Sequence, residues 1–286
     1  MTNGTHLSRR PYAPHTLTTA ALLALAALGC AALVGARPAA PAKRTATHGG
    51  VSVTFDVTLA REATARTVPA SPLEQESDKP DGVYPEHVAF TLVGISRAPA
   101  NSYKKPVVRV APVAEYLKAF SASPRYVKEA GQALDRLRRL LRRRPATLKG
   151  NTPQLPFIDG TEVFHAHVKY LRFRGGSGVA FLTQGQQDEE LINNQHVSYE
   201  FRGLTDDGRF YVSAEFPVGG PFIAENRDLK SHEGYTPVFD LTPRGQRRYA
   251  AYVERVRRRL ERLRPEQFQP SLRLYDELLS SLAIRK

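Results

Sequence analysis

Two histidines one residue apart, His165 and His167, are the sharpest candidates for chemistry in this chain. They fall in an alternating segment, Phe164 to Tyr170, that predicts a β-strand. Residues two apart on a strand project to the same face, so both imidazoles would point the same way. Zn²⁺ accepts such nitrogen ligands, and Glu200 or Glu215 would complete the set if their strands are neighbours. The spacing predicts a metal site, with two solvent-facing histidines on a sheet as the alternative.

The chain carries no established catalytic signature. Ser177 lies between glycines, but the GxSxG pattern and a strand–turn–helix context are both missing. There is no P-loop and no GxGxxG after a strand, so no cofactor is expected. Asp206 and Asp207 precede Gly208 in a predicted turn, where these residue types are favoured for backbone reasons. The sequence therefore favours a non-catalytic protein over a metal-dependent enzyme that uses His165 and His167.

Cys30, the single cysteine, lies in an apolar segment near the N-terminus. Residues 1–16 carry two arginines and no acid, and residues 17–36 are uncharged, as in a secretory signal. Residues 27–30, Ala-Leu-Gly-Cys, resemble a bacterial lipobox, which predicts lipid attachment at Cys30. The alternatives are cleavage after the small residues 34–36 and an uncleaved anchor, since these apolar residues would make about 30 Å of helix. All three place the rest of the chain outside the cytoplasm, where one cysteine provides no disulfide within the chain.

Positive charge is concentrated in two arginine-rich segments. The formal net charge is +13, and residues 123–144 and 244–264 are strongly basic. Such surfaces attract anionic lipid head groups, acidic polymers or nucleic acid, of which nucleic acid is the least expected for an envelope protein. The arginines predicted to contact an anionic surface are Arg138, Arg142, Arg255, Arg258, Arg259 and Arg262. A solvated helix face laced with pairs such as Glu254–Arg258 is the alternative interpretation.

Six amide side chains crowd one predicted loop between strands. They are Gln184, Gln186, Gln187, Asn193, Asn194 and Gln195. Amides bind sugars or peptide backbone through their paired donors and acceptors. They are also ordinary loop residues, so a ligand-contacting role is one of two interpretations.

The first half of the chain alternates between strand and helix signals. Residues 51–59, 87–95 and 107–110 are predicted strands, and residues 113–120 a short helix. Ser123 before Pro124 predicts a helix start, with a side-chain cap and a proline in the first turn. Apolar residues then recur every three or four positions up to Pro145, which predicts one buried stripe: Val127, Ala130, Leu134, Leu137 and Leu141.

A hairpin is predicted around residues 204–208, in which Gly208 is free to adopt a positive φ. The preceding strand places Val197, Tyr199 and Phe201 on one face, and the following strand does the same with Phe210, Val212, Ala214 and Phe216. Pairing of Phe201 with Val212, Tyr199 with Ala214 and Val197 with Phe216 would bring these apolar residues together on one side.

Two amphipathic helices are predicted at the C-terminus, on either side of Pro265. Strands are grouped apart from helices, which predicts an α+β fold: an antiparallel sheet of about five to seven strands with helices packed on one face. The predicted organisation is a signal or anchor at 1–36, a tether at 37–49 and one domain at 50–286. Within that domain, 50–218 is the β-rich core with an inserted helix at 123–144, and 243–286 is the helical pair.

Three stretches of the chain resemble a family of secreted, uncharacterised bacterial proteins that often carry lipoprotein-like signals. They are GVSVTFDVTLA, FHAHVKYLRFRGGSGVAFLTQ and INNQHVSYEFRGLTDDGRFYVSAEFPV, and together they span Gly50 to Val218. The last stretch follows the pattern INNxxxxYxFxGLTDDGxxYVSAxxPV. The resemblance implies an envelope location and one β-rich module, and it carries no activity, cofactor or site residue.

These observations predict a non-catalytic protein of the cell envelope, tethered to a membrane at or near Cys30. It would act as a binding or accessory module that docks on an anionic lipid or envelope polymer through its basic helices. A structural subunit that contacts other envelope proteins is the alternative.

Overall fold

The computed structural model describes residues 42–74, 80–238 and 240–285. The predicted signal or anchor at 1–36, with Cys30, lies outside these residues, as do residues 37–41 of the predicted tether. In the part that is described, no helix has both the length and the hydropathy to span a membrane.

The described chain forms helices and strands in the following order. The strands are β1 (Lys43–His48), β2 (Val51–Asp56), β3 (Ala60–Val68), β4 (His87–Ile95), β5 (Val107–Pro112), β6 (Thr161–Glu162), β7 (Ala166–Phe173), β8 (Gly176–Gln186), β9 (Val197–Thr205), β10 (Phe210–Pro217) and β11 (Ala283–Ile284). The helices are α1 (Val113–Ala119), α2 (Pro124–Arg143), α3 (Pro243–Glu261) and α4 (Leu272–Ser280).

The strands form two antiparallel sheets, so the α+β class predicted from the sequence is confirmed. The larger sheet has eight strands in the order β3-β4-β5-β10-β9-β8-β6, and β7 also pairs with β8. The smaller sheet is β1-β2-β11. The main sheet is thus larger than the predicted five to seven strands, because residues 60–68, which lack a continuous apolar face, and the two-residue β6 both add edge strands. The residues predicted as the end of a tether also form a strand, β1, which pairs with β2 along its whole length.

Helices cover both faces of the main sheet, which corrects the prediction of helices on one face. On β8, Val179 and Phe181 belong to a core shared with α1 and α2. Ala180 and Leu182 belong to a second core shared with α3, α4 and β2. Because alternate strand residues point to opposite faces, α2 and α3 lie on opposite sides of the sheet. The sequence did not predict a second core on the other face, because strands that are buried on both faces lack the alternation that marks one buried side.

Helix α2 spans Pro124–Arg143, which is within one residue of the predicted bounds 123–144 at each end. Of the predicted stripe, Ala130, Leu134, Leu137 and Leu141 are buried, and Val127 is partly buried against them. Ser123 occupies the N-cap position, but its side chain makes no cap hydrogen bond, contrary to expectation. Pro124 in the first turn is as predicted.

The β9–β10 hairpin has the predicted faces but not the predicted register. Phe201 pairs with Ala214 and Tyr199 with Phe216, two residues from the predicted partners. The shift arises because the centre of the connection, residues 206–209, lies one residue further along the chain than the predicted pairs require. The amide of Gly208 donates to the carbonyl of Thr205 (2.8 Å), with Gly208 at a φ of +69° as expected. A shift of two residues preserves the inward face, so the burial pattern could not reveal it.

Strand β7 contains a bulge at His167 that the alternating pattern concealed. His167 has a φ of +52°, and the pairing with β8 shifts between Ala166 and Lys169. As a result Phe164 and Ala166 enter the core beneath α3, whereas Val168 and Tyr170 pack against the α2 side. The four residues predicted to share one face are therefore divided between both faces.

Candidate functional site

Four arginines surround a cleft between the C-terminal end of α2 and the β9–β10 hairpin. They are Arg138, Arg142, Arg144 and Arg172, and the cleft has a volume of about 1000 Å³. Leu141, Ser177 and residues 204–208 of the hairpin complete its lining. We name this the arginine cleft. It contains the two arginines of α2 that the sequence predicted as anion contacts, and it adds two that the sequence did not single out.

The charges of the arginine cleft are only partly compensated. Arg138 pairs with Asp135 (2.8 Å) outside the cleft lining, and Arg172 pairs with Asp206 (3.3 Å) within it. Arg142 is exposed and has no acidic partner among the residues that the structure describes. Two acids, Asp206 and Asp207, thus face four guanidinium groups. The excess of positive charge suits an anionic group, particularly because guanidinium binds phosphate and carboxylate oxygens in pairs.

The two arginines that the sequence did not single out, Arg144 and Arg172, reach the cleft for different structural reasons. Arg144 ends α2 in the left-handed conformation (φ of +48°), and its Nε donates to the carbonyl of Leu141 (3.3 Å). Arg172 lies on β7, which neighbours β8 and so comes near the hairpin. The run of arginines before Pro145 was a sequence signal for Arg144. No sequence signal linked Arg172 to α2, because only the sheet order brings them together.

The predicted arginines of α3 are mostly engaged within the protein. Arg259 pairs with Glu233 and lies 3.6 Å from the ring centre of Phe222. Arg255 donates to the carbonyl of Glu233 (2.6 Å), so both hold the segment before α3. Arg258 pairs with Glu254 (2.7 Å), and Arg262 is exposed without a partner in the described chain. These four therefore lie apart from the arginine cleft, on the opposite side of the sheet.

A buried charge network lies beneath the α2 side of the sheet. Arg202, which is only 2% exposed, pairs with both Glu162 and Glu200. Its guanidinium also donates to the carbonyl of Thr152 (2.6 Å) and lies over the ring of Phe181. The sequence did not single out Glu162, because one acid on a two-residue strand has no distinguishing pattern.

Glu162 is held ionised by its neighbours. Burial alone would raise the pKa of its carboxyl, but the positive charge of Arg202 and hydrogen bonds from His165 and the Thr152 amide outweigh it. The net result is a pKa of about 2. The carboxylate therefore accepts hydrogen bonds from the Thr152 amide, from His165 and from Arg202. These bonds fix the segment before β6 to the sheet.

The two histidines do not form the predicted metal site. Nε2 of His165 lies 2.9 Å from Oε2 of Glu162, and its ring contacts Phe181 on the α2 side. Nε2 of His167 lies 2.8 Å from the carbonyl of Leu260, and its ring contacts Phe268 on the α3 side. The bulge at His167 is the physical reason, since it breaks the two-residue alternation. Within the described ranges, no group of three or more His, Cys, Asp or Glu residues is placed to hold a metal ion.

The amide-rich loop is mainly structural, with one exposed end. Gln184 donates to the carbonyl of Leu191 (3.0 Å) and accepts from the amide of Asn193 (2.9 Å). Gln195 bonds the hydroxyl of Tyr103 (3.0 Å). By contrast, Gln186 and Gln187 line a second groove beside α3. Most of these amides thus satisfy a buried loop. Nε2 of Gln186 donates to the hydroxyl of Tyr249, and Nε2 of Gln187 donates to Oδ2 of Asp159 (3.0 Å).

Comparison of the chain with protein-family models, with curated proteins and with solved structures gives no match in any of the three.

Proposed function

We propose that the protein is a non-catalytic binding module of the cell envelope that captures a phosphate-bearing anion in the arginine cleft. The observation that carries the proposal is the convergence of Arg138, Arg142, Arg144 and Arg172 on one cleft with only two acids in its lining. Phosphate oxygens accept paired hydrogen bonds from guanidinium, and anionic head groups or envelope polymers would present them.

The proposal includes a tether at the N-terminus. Its support is the basic, then apolar, then small-residue pattern that ends at Cys30, together with the resemblance to secreted bacterial proteins. Intact-mass measurement of protein extracted from its membrane is expected to show a chain that begins at Cys30 and carries acyl mass. A chain that begins at Arg37, or an unprocessed chain, would contradict lipid attachment.

Anion binding at the cleft is expected to depend on salt and on Arg142. Full-length protein in a polyoxyethylene detergent would be titrated with pyrophosphate and with short-chain phosphatidylglycerol by calorimetry. Affinity should fall about tenfold or more between about 50 mM and about 500 mM salt, because exposed charges are screened beyond a Debye length. Arg142→Glu should lower affinity by about tenfold or more, equivalent to about 1.4 kcal/mol.

Arg262→Glu is the matched control, since it makes the same charge change on the opposite side of the sheet. Its affinity should stay within about twofold of the unmodified protein. Loss of binding in Arg262→Glu, with full binding in Arg142→Glu, would show that the anion binds near α3 and not in the arginine cleft. Binding that does not respond to salt would refute the electrostatic mechanism.

A further inference from the structure

The outward face of α3 carries a row of arginines along the whole helix. The inward face includes Tyr252, Val253, Val256 and Leu260, which are buried in the core. On the other side, exposed arginines recur at intervals of three, four or eight residues, which keeps them on one face of the helix. The members of this row, which ends at the C-cap, are Arg244, Arg247, Arg255, Arg258 and Arg262. We name it the α3 arginine row.

The acids near the row do not cancel its charge. Residues 243–262 contain eight arginines and only two acids, and one of these acids, Glu254, pairs with Arg258 (2.7 Å). Two further acids lie close by, Glu233 beside Arg259 and Asp240 beside the first turn. Four acids against eight arginines leave an excess of four positive charges. Anionic membranes attract basic segments by about 1 kcal/mol for each Lys or Arg near the surface.

The spacing of the row suits an extended surface better than a small anion. Arg244 and Arg262 are eighteen residues apart, which corresponds to about 27 Å of helix. A single phosphate group cannot contact both ends of such a row, whereas a surface of many head groups can. The row therefore differs in its expected ligand from the arginine cleft, which surrounds one small volume.

Charge alone does not distinguish α3 from α2. Residues 124–144 also contain eight basic residues and two acids. Both helices therefore attract anionic surfaces, and the position of each helix relative to the N-terminal tether must decide which of them meets the membrane.

The described chain begins on the side of the main sheet that α3 and α4 cover. Nζ of Lys43 lies 3.4 Å from Oε2 of Glu277 on α4. Helices α3 and α4 share one core and both lie against β7, since Asp276 of α4 pairs with Lys169 (2.7 Å) and the last turn of α3 bonds the amide of His167 (2.9 Å). Helix α2 belongs to the core on the opposite face. The tether therefore joins the domain on the same side as the α3 arginine row.

The tether is too short for α2 to face the membrane that holds it. Residues 31–42 can span at most about 40 Å from Cys30, and a folded domain of this length is about 45 Å across. With α2 against the membrane, the chain would have to pass round the whole domain before it reached Lys43. An uncleaved anchor at residues 17–36 would leave an even shorter connection. Either form of anchor thus favours the side of α3.

We propose that the α3 arginine row docks the domain on the anionic surface of the membrane that holds its N-terminus. The proposal rests on the tether of the proposed function. It turns the arginine cleft away from that membrane, because α2 and α3 cover opposite faces of the sheet. The phosphate captured in the cleft would then belong to an envelope polymer and not to the lipids beneath α3.

The test measures which side of the full-length protein approaches the lipid. The protein is placed in phosphatidylcholine vesicles that contain or lack phosphatidylglycerol and carry a head-group acceptor dye. A donor dye is attached in Ala251→Cys, at an exposed position within the row, or in Gln132→Cys, at an exposed position of α2. Energy transfer in Ala251→Cys should rise by about twofold or more with phosphatidylglycerol and fall again in about 500 mM salt, which screens the attraction. Transfer in Gln132→Cys should not rise.

Charge reversal tests the row itself. Arg262→Glu, combined with Ala251→Cys, should abolish most of the rise, since it changes the charge near the surface by two units. Arg139→Glu is the matched control, because it makes the same change at an exposed position of α2 outside the arginine cleft, and it should leave the rise intact. An equal or larger rise in Gln132→Cys would overturn the inference, and so would equal effects of Arg262→Glu and Arg139→Glu.

Failure of the tether is recognised separately. Protein that leaves vesicles without phosphatidylglycerol has no working anchor, and the intact mass then shows whether Cys30 is free. In that case sedimentation with anionic vesicles compares the same two charge variants. Weaker binding of Arg262→Glu than of Arg139→Glu would support docking through α3, and equal binding would overturn it. Pyrophosphate titration of Arg262→Glu reports on the arginine cleft independently.

Discussion

Replacement of Arg202 by methionine is expected to lower the free energy of unfolding by about 3–5 kcal/mol. The guanidinium is almost fully buried and is shared by Glu162 and Glu200. Removing one partner of a buried ion pair leaves a carboxylate desolvated without compensation, which costs more than the pair itself contributes. The measurement is urea unfolding near neutral pH, with the slope of the transition compared to confirm that the denatured state is unchanged.

Arg172→Met is the control for this prediction. Its pair with Asp206 is exposed, since 63% of the Arg172 side chain and 55% of the Asp206 side chain are accessible to solvent. Such pairs contribute between about 0 and 1 kcal/mol to the free energy of unfolding. Equal losses of stability in the two variants would show that Arg202 is less isolated from solvent than the structure indicates.

The Arg202→Met effect should also depend on pH in a specific direction. The folded-state pKa of Glu162 is about 2, below its ordinary value of 4.5, so its ionised form stabilises the fold above about pH 4.5. That contribution is lost as the pH falls towards 2. The variant lacks the charge that lowers the pKa. The stability gap between the two proteins should therefore be widest above about pH 4.5 and should narrow in acid. A gap that widens in acid would contradict the role assigned to Glu162.

Substitution of alanine for Gly178 is expected to destabilise the protein by about 3 kcal/mol or more, or to prevent folding. An ideal Cβ at this position would lie 2.2 Å from Cζ of Phe201 and 2.7 Å from the carbonyl oxygen of Arg202. Phe201 is fully buried, so its ring has no free space to enter, and overpacking of a core displaces neighbouring groups. Thermal and urea unfolding of the purified variant would measure the loss.

Gly131→Ala provides a control with the same chemical change. Gly131 lies within α2, and no atom outside the backbone of its own helix lies within 4 Å of an added Cβ. Alanine has the higher helix propensity, so this variant should be more stable by about 0.5–1 kcal/mol. A stable Gly178→Ala protein would show that β8 and β9 can separate enough to admit a methyl group, and would weaken the register described for these strands.

Local pattern predicted the helices better than the sheet. The inward stripe of α2 and the stop at Pro145 follow from residues within one turn of each other, so the sequence alone specifies them. The β9–β10 register is different, because a shift of two residues keeps Phe201 and Ala214 on the buried face. Strand β3 was missed because an edge strand buries little, and its residues carry no apolar alternation.

The candidate sites follow the same division. The sequence identified Arg138 and Arg142 because they lie in one basic helical segment, and it identified the amides as one loop. It could not show that Arg172 lies in the same cleft as Arg138 and Arg142, or that Glu162 pairs with Arg202, because these contacts join residues that are far apart in the sequence. The histidine pair was misjudged because a bulge is a backbone event with no side-chain signature in this segment.

The sequence by itself determined which segments become the helices and most of the strands, which side of each helix is apolar, and where positive charge accumulates. These properties depend on residue type and on a periodic spacing of 2 or about 3.6 residues, and both can be read from the sequence. Only the tertiary structure decided that α2 and α3 cover opposite faces, that His165 and His167 part at a bulge, and that four arginines share a cleft. Those outcomes depend on strand order and register, which arise from packing between segments far apart in the chain.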